Sequence, residues 1–227
     1  MPPRARIYLH CVVGTGLFLL MDGLSQFAAV DLPQFIAYLA LALLSATWRF
    51  KIPDIPVTFS TTFAFVLIGI ANFSLGEAIL MGCGATLVQC LWRPDIRPSP
   101  RKVLFNIASV AIGITIAYNP SHFALTKDLH NAAGMLTLAA VMYFVLNTAL
   151  VAGVIALIEE EAFGPVWRRL ARYSIVYYVA GGLIASVVIV ASRLWGWQVG
   201  LFILPALYVT YRLYLTYLRR RGIATAV

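Results

Sequence analysis

Eight apolar stretches follow one another along the chain, and each contains almost no charged residue. They cover about residues 7–26, 32–48, 57–72, 75–92, 100–118, 131–158, 173–193 and 197–211. Charged residues are 11% of the chain, against about 25% in soluble domains. So few charges cannot cover a water-facing surface, which excludes an ordinary soluble enzyme and a disordered or fibrous chain. Because the apolar stretches do not alternate with polar residues, an outer-membrane barrel is excluded as well. The sequence predicts an all-α, polytopic membrane helical bundle formed by one integral membrane domain, residues 1–227.

The number of spans depends on how the short stretches are interpreted. The first stretch follows Arg4 and Arg6 and resembles a signal peptide, but no small-residue cleavage site precedes a polar mature chain. We therefore expect it to remain as a helix. Only Phe73 and Ser74 separate the third and fourth stretches, which could form a spanning hairpin or a re-entrant pair. A spanning pair gives about eight transmembrane helices, with six or seven as alternatives.

The distribution of basic residues supports eight spans. With the N-terminus inside, 15 of the 17 lysines and arginines fall in cytoplasmic segments, leaving Lys127 and Arg193 outside. The positive-inside rule then predicts that both termini are cytoplasmic. Because the basic residues lie at five separate loop ends, we expect no nucleic-acid partner.

Two groups of acidic residues have structural explanations. Ser74 and Glu77 match a capping box at the start of the fourth helix, although Glu77 could alternatively be a proton or cation site. The three acids at 159–161 would oppose the helix dipole at the end of the sixth helix. We expect them to pair with Arg168, Arg169 or Arg172.

Neutral polar side chains inside the apolar stretches are the candidate binding residues. Amides and hydroxyls buried in a bilayer need hydrogen-bonding partners, and a ligand could be one of them. The candidates are Thr61, Thr62, Gln89, Asn106, Asn147 and Tyr178. Since these groups carry no charge, they suit a small neutral or lipid-like molecule. The alternative explanation is helix packing, because small residues lie on the same helix faces as these polar side chains and allow neighbouring helices to approach closely.

Residue patterns typical of catalysis or metal binding are missing from the sequence. It contains no GxSxG, P-loop, HExxH or CxxC motif, and its three histidines are scattered. We therefore expect no enzymatic activity, no metal site and no cofactor.

The last stretch continues beyond the length that a span requires. Residues 205–221 are predicted to leave the membrane as a helix and to form a signal-output segment. Pro205 is expected to kink this helix between Leu201 and Pro205. The alternative is a membrane anchor that ends in the basic residues 219–221.

Four segments carry a resemblance to a known family. FVLIG at 65–69, GCGATLVQCLW at 82–92, VLFNIAS at 103–109 and the stretch 204–215 resemble bacterial multi-pass membrane sensor domains. Such domains are found N-terminal to HD-type (HD-GYP-like) phosphohydrolase or GGDEF signalling domains. The resemblance covers about residues 7–218 and implies signal transduction in cyclic-dinucleotide signalling. It differs in that no catalytic domain follows, so the chain would be a stand-alone relative or a fragment.

These observations predict a non-enzymatic sensor or ligand-binding domain that biases a cytoplasmic signalling partner through its last helix. The expected partners are membrane lipid, a small neutral or lipid-like ligand, and a cytoplasmic signalling domain or a second copy in a homodimer. The alternative is a small-solute binding or transport protein. The number of predicted helices and the content of small residues also resemble those of the substrate-binding subunits of energy-coupling-factor transporters.

Overall fold

The computed structural model describes residues 1–28, 31–51, 58–60, 62–92, 98–125 and 132–203, together with 205, 206, 208, 209, 212 and 216. These residues are mainly helical, as predicted. The helices are α1 (Pro3–Ser25), α2 (Leu32–Ser45), α3 (Thr62–Asn72), α4 (Leu75–Leu91), α5 (Pro100–Leu125), α6 (Ala132–Glu159) and α7 (Phe163–Trp195). A 3₁₀ segment, Trp197–Phe202, follows α7, and the described residues from Ile203 to Thr216, here called the last helix, are helical.

Two short strands lie between α2 and α3, where the sequence analysis expected a loop and the start of a helix. Strand β1 (Arg49–Lys51) pairs antiparallel with β2 (Thr58–Ser60), and Phe50 lies opposite Phe59. The third apolar stretch was predicted to be helical from residue 57, but α3 begins only at Thr62. Phenylalanine and threonine are common in strands, so this sequence is compatible with either state.

Four described helices are long and apolar enough to cross a bilayer. They are α1, α5 to Pro120, α6 from Ala133, and α7. The apolar helices α2, α3 and α4 are shorter than the 20 or so residues that a straight span needs. The structure thus establishes a helical protein with four candidate spans, and the count of eight remains a prediction.

The shortest helix, α3, lies at the centre of the bundle. All nine residues from Thr62 to Ile70 are buried, and α3 contacts α2, α4, α5, α6 and α7. A helix that is apolar on every face is expected to be enclosed by other helices. Irregular backbone at membrane depth is tolerated where protein surrounds it, so α3 need not span the bilayer.

Small residues bring the neighbouring helices close together. A Cβ atom at Gly16 of α1 would overlap Ala108 of α5, including its backbone. A Cβ atom at Gly82 of α4 would likewise overlap the Ile114 side chain of α5. The packing role expected for small residues is therefore confirmed at Gly82, whereas the close contact at Gly16 was not predicted.

The α6–α7 turn confirms the predicted pairing of the acidic run. The guanidinium of Arg169 lies 3.4 Å from a carboxylate oxygen of Glu159 and 3.4 Å from one of Glu161. Both pairs are about half exposed, so each contributes roughly 0–1 kcal/mol at most. Helix α7 starts at Phe163, ten residues before the predicted apolar stretch, and Arg169 therefore lies on the helix itself.

Candidate functional site

The predicted site residues fall into two groups. Asn147, Tyr178 and Thr62 lie where α3, α6 and α7 meet, whereas Gln89 and Asn106 lie on α4 and α5. Thr61 lies outside the described residues. The structure therefore divides the predicted pocket residues between two places.

The α4–α5 group is a contact between two helices. The Asn106 amide nitrogen donates to the Cys90 sulfur over 3.4 Å, and both side chains are partly buried. About two turns nearer the start of α4, the Cys83 thiol donates to the Ile107 carbonyl over 3.7 Å. Gln89 is also partly buried and makes a polar or electrostatic interaction of its own. The amide of Asn106 is therefore used in packing α4 against α5.

The α3–α6–α7 group contains a direct hydrogen bond between two predicted residues. The Asn147 amide nitrogen donates to the Tyr178 hydroxyl over 2.8 Å. That bond uses one amide hydrogen and one hydroxyl lone pair. The Tyr178 hydrogen and the Asn147 amide oxygen take no part in that bond.

Aromatic rings surround this bond on three helices. We call the following residues the aromatic cluster: Phe63, Tyr143, Phe144, Tyr177 and Tyr178. The rings of Phe63 and Tyr178 meet edge to face at 4.5 Å between centroids, and those of Phe144 and Tyr178 do so at 4.9 Å. Such contacts add about 0.5–1.5 kcal/mol each beyond burial. Of the residues in this cluster, only Tyr178 was predicted as a site residue. The sequence pattern did not distinguish the other aromatic residues from ordinary apolar residues of a membrane helix.

The aromatic cluster also caps the first turn of α3. The first N–H groups of a helix have no acceptor within the helix. The Tyr177 hydroxyl accepts the N–H of Phe63 over 3.2 Å, so one of these donors is satisfied inside the protein. A helix that begins inside the bundle directs its positive dipole end toward the aromatic cluster, as discontinuous helices do at the substrate sites of transporters.

Glycines make room for the rings. A Cβ atom at Gly181 of α7 would lie 2.6 Å from the Phe63 ring, and one at Gly113 of α5 would lie 3.0 Å from the Tyr143 ring. Gly182, next in the chain, has no neighbouring atom within 4 Å of the same position. The cluster therefore depends on glycine at two defined positions.

A second junction joins α2, α7 and the 3₁₀ segment. The side chain of Tyr38 on α2 is fully buried, and its hydroxyl donates to the Trp197 carbonyl over 3.1 Å. The same hydroxyl shares a 3.2 Å hydrogen bond with Ser192 of α7, and its ring end contacts Gly200. Tyr38 thus connects the segment that leads into the last helix to both α2 and α7.

The last helix makes a further contact near its start. The Trp48 and Tyr208 rings lie 5.5 Å apart, and the guanidinium of Arg212 lies 6.0 Å from the Tyr208 ring. The predicted kink region coincides with the change from 3₁₀ to α-helical structure at Ile203. Pro205 consequently lies in the first turn of the last helix, where a proline is tolerated.

One groove in the described part of the chain lies apart from these groups. A groove of about 340 Å³ on α7 is lined by Ser186, Val187, Val190, Ala191, Leu194 and Trp195, and it includes no predicted site residue. Within the described ranges, no group of three or more His, Cys, Asp or Glu residues could hold a metal ion.

Comparison with known protein families identifies the family of this chain. The family model MASE9 matches residues 26–216, which is most of the chain. The chain belongs to the MASE9 family of membrane-associated sensor domains. No curated protein and no solved structure matches it. The matched MASE9 region includes α2 to α7, the aromatic cluster, the Tyr38 junction and the described residues of the last helix. Membership supports the predicted membrane sensor domain and suggests a non-catalytic role.

Proposed function

We propose that this MASE9 domain is a non-enzymatic sensor that binds a small neutral or lipid-like molecule at the aromatic cluster. The observation that carries the proposal is the hydrogen-bonded pair Asn147 and Tyr178, enclosed by aromatic rings at the buried start of α3. Aromatic walls with a few convergent polar groups are typical of small-molecule sites. The absence of a charged side chain from the cluster favours a neutral ligand. The family match favours sensing over the alternative of solute transport.

Binding would reach the last helix through α7. A ligand between α3 and α7 would change how these helices pack around Phe63 and Tyr178. Helix α7 shares the Tyr38 hydroxyl with the 3₁₀ segment, so a shift of α7 would move the start of the last helix. A ligand shifts such an equilibrium only by its difference in affinity for the two arrangements. The Tyr38 junction supplies the contact through which that difference can act.

The output would be a cytoplasmic signalling partner. We place the domain in the bacterial cytoplasmic membrane with both termini in the cytoplasm. The output segment 205–221, which includes most of the last helix, would contact an HD-type or GGDEF domain. Two copies of the last helix could pair in a dimer. The basic residues at 219–221 would lie near the anionic inner leaflet, where each contributes about 1 kcal/mol of attraction.

An insertion series tests transmission through the last helix. A reporter cyclase is fused after Leu218, and one to four alanines are inserted at the junction. If the last helix transmits rotation, cyclase activity should rise and fall with a period near 3.6 residues, because each inserted residue turns the helix by about 100°. Equal insertions within the reporter's own N-terminal linker, further from the junction, serve as the control. Activity that stays flat across the junction series would leave the segment as a simple anchor.

A further inference from the structure

Glu77 has one carboxylate oxygen that the capping box does not use. The predicted cap is present: Oε2 accepts the Ser74 N–H over 2.9 Å and the Ser74 hydroxyl over 2.7 Å. Only 2% of Glu77 is exposed, and its Oε1 is buried with no hydrogen-bonding partner. The hydrogen-bonding capacity of Glu77 is thus satisfied at Oε2 and unsatisfied at Oε1.

An ionised Glu77 carries a charge that the capping box compensates at only one of its two oxygens. An ionised carboxylate inside a membrane protein is costly without a compensating charge. A protonated Oε1 would instead be a hydroxyl donor, a state that the infrared measurement described below distinguishes from a bound cation. A bound cation would satisfy both the charge and the coordination of Oε1.

The surroundings of Glu77 are rich in acceptors. The helices α1 and α3 finish, and α2 and α4 begin, at the same end of the bundle. This end is called here the Ser74 end. The carbonyl of Gly23 lies so near the start of α4 that a Cβ at Gly76 would be 2.7 Å from it. The last carbonyls of a helix lack intrahelical donors and form its negative end. Two such ends, those of α1 and α3, therefore lie near the start of α4, which carries Glu77.

The donors at this end are already engaged. The Ser74 hydroxyl oxygen accepts the N–H of Glu77 and the N–H of Ala28, both at 3.4 Å. The Tyr118 hydroxyl donates to the Phe73 carbonyl over 3.2 Å. Since the donors that cap the start of α4 are directed at Ser74 and Glu77 Oε2, they do not compensate Oε1.

We propose that Glu77 Oε1 binds a monovalent inorganic cation, Na⁺ or K⁺, with backbone carbonyls at the ends of α1 and α3. Oxygen-only ligands suit hard cations, and a single carboxylate balances a single charge. Helix C-terminal ends and carbonyls of irregular backbone coordinate Na⁺ in membrane transporters, which makes this combination chemically reasonable. This proposal does not depend on a ligand at the aromatic cluster, which lies at the other end of α3.

The thermal unfolding of the whole chain in lipid nanodiscs tests the site. The melting temperature is measured against NaCl and KCl, with N-methyl-D-glucamine chloride holding the ionic strength constant. The melting temperature of the wild type should rise with the logarithm of the ion concentration and be about 2–4 °C higher once the ion exceeds its dissociation constant severalfold, as mass action gives for a chain of this size. The rise should be missing in Glu77→Gln, which keeps the capping box because glutamine can replace glutamate there. Asp22→Asn, an equal change of charge at an exposed carboxylate of the Ser74 end, should keep the rise.

Two results would overturn the proposal in that experiment. One is a wild type that responds equally to Na⁺, K⁺ and N-methyl-D-glucamine. The other is a Glu77→Gln variant that keeps the full rise. Should Glu77→Gln fail to fold, equilibrium dialysis of the wild type against radioactive sodium and potassium decides the matter. One ion per chain is expected, and no bound ion contradicts the proposal. A protonated-carboxyl infrared band that persists in saturating salt and disappears in Glu77→Gln would show that a proton occupies the site instead.

Discussion

Replacing Gly16 with alanine is expected to destabilise the bundle by about 1–3 kcal/mol, the usual cost of overpacking a filled interface. The Cβ atom would overlap both the side chain and the backbone of Ala108. Because backbone atoms of α5 cannot rotate away, α1 and α5 would have to separate along their contact. Bilayer helices are held together largely by such close packing, so the lost contacts are not recovered elsewhere.

Gly14 provides a matched control on the same helix. It is exposed, and a Cβ there would have no atom within 4 Å. Gly14→Ala should leave stability unchanged or raise it by about 0.5–1 kcal/mol, because alanine is the better helix former. The measurement is the unfolding midpoint of each detergent-solubilised variant in an SDS titration. Equal midpoints for the two variants would mean that α1 does not pack on α5 through Gly16.

Replacing Gly181 with alanine is expected to disrupt the aromatic cluster. The new Cβ would lie 2.6 Å from the Phe63 ring, so Phe63 must move and its 4.5 Å contact with Tyr178 must change. Forced rearrangement of a packed ring typically costs about 1–3 kcal/mol. Near-ultraviolet circular dichroism, which reports rings held in fixed asymmetric surroundings, should lose intensity along with the fall in the unfolding midpoint.

The neighbouring residue again offers the control. Gly182 follows Gly181 in the chain and has open space at the Cβ position. Gly182→Ala should therefore preserve the near-ultraviolet spectrum and the stability. If both alanine variants gave the wild-type spectrum, the placement of Phe63 against α7 would be wrong.

Most helices could be predicted from the sequence, because membrane helices consist of long stretches of apolar residues that are easily recognised. The starts of α4 at the Ser74 cap and of α5 at Pro100 agree with their local signals. The late start of α3 was not predicted, because residues 57–61 contain no glycine, proline or charged residue that would separate them from the apolar residues that follow. The extension of α7 back to Phe163 was missed because its arginines ended the apolar stretch without ending the helix.

The candidate site was predicted only in part. Asn147 and Tyr178 were selected as neutral polar residues in apolar stretches, and the structure brings them to 2.8 Å. Asn106 was selected by the same criterion, yet it bonds Cys90 in a separate helix contact. Spacing along one helix says which residues share a face, but not which other helix that face meets. The Tyr38 junction was missed for this reason, because its partners, Ser192 and Trp197, are far from it in sequence.

The most direct test of the sensor proposal compares two asparagine variants in the fusion with the reporter cyclase after Leu218. Asn147→Leu removes the amide that bonds Tyr178, whereas Asn106→Leu removes an equal amide from the α4–α5 contact. Bilayer hydrogen bonds average only about 0.6 kcal/mol, so both variants should fold and insert. At equal membrane expression, the account predicts that Asn147→Leu changes cyclase activity and that Asn106→Leu leaves it at the wild-type level. Wild-type activity in both variants, or the same change in both, would contradict a sensing role for the aromatic cluster.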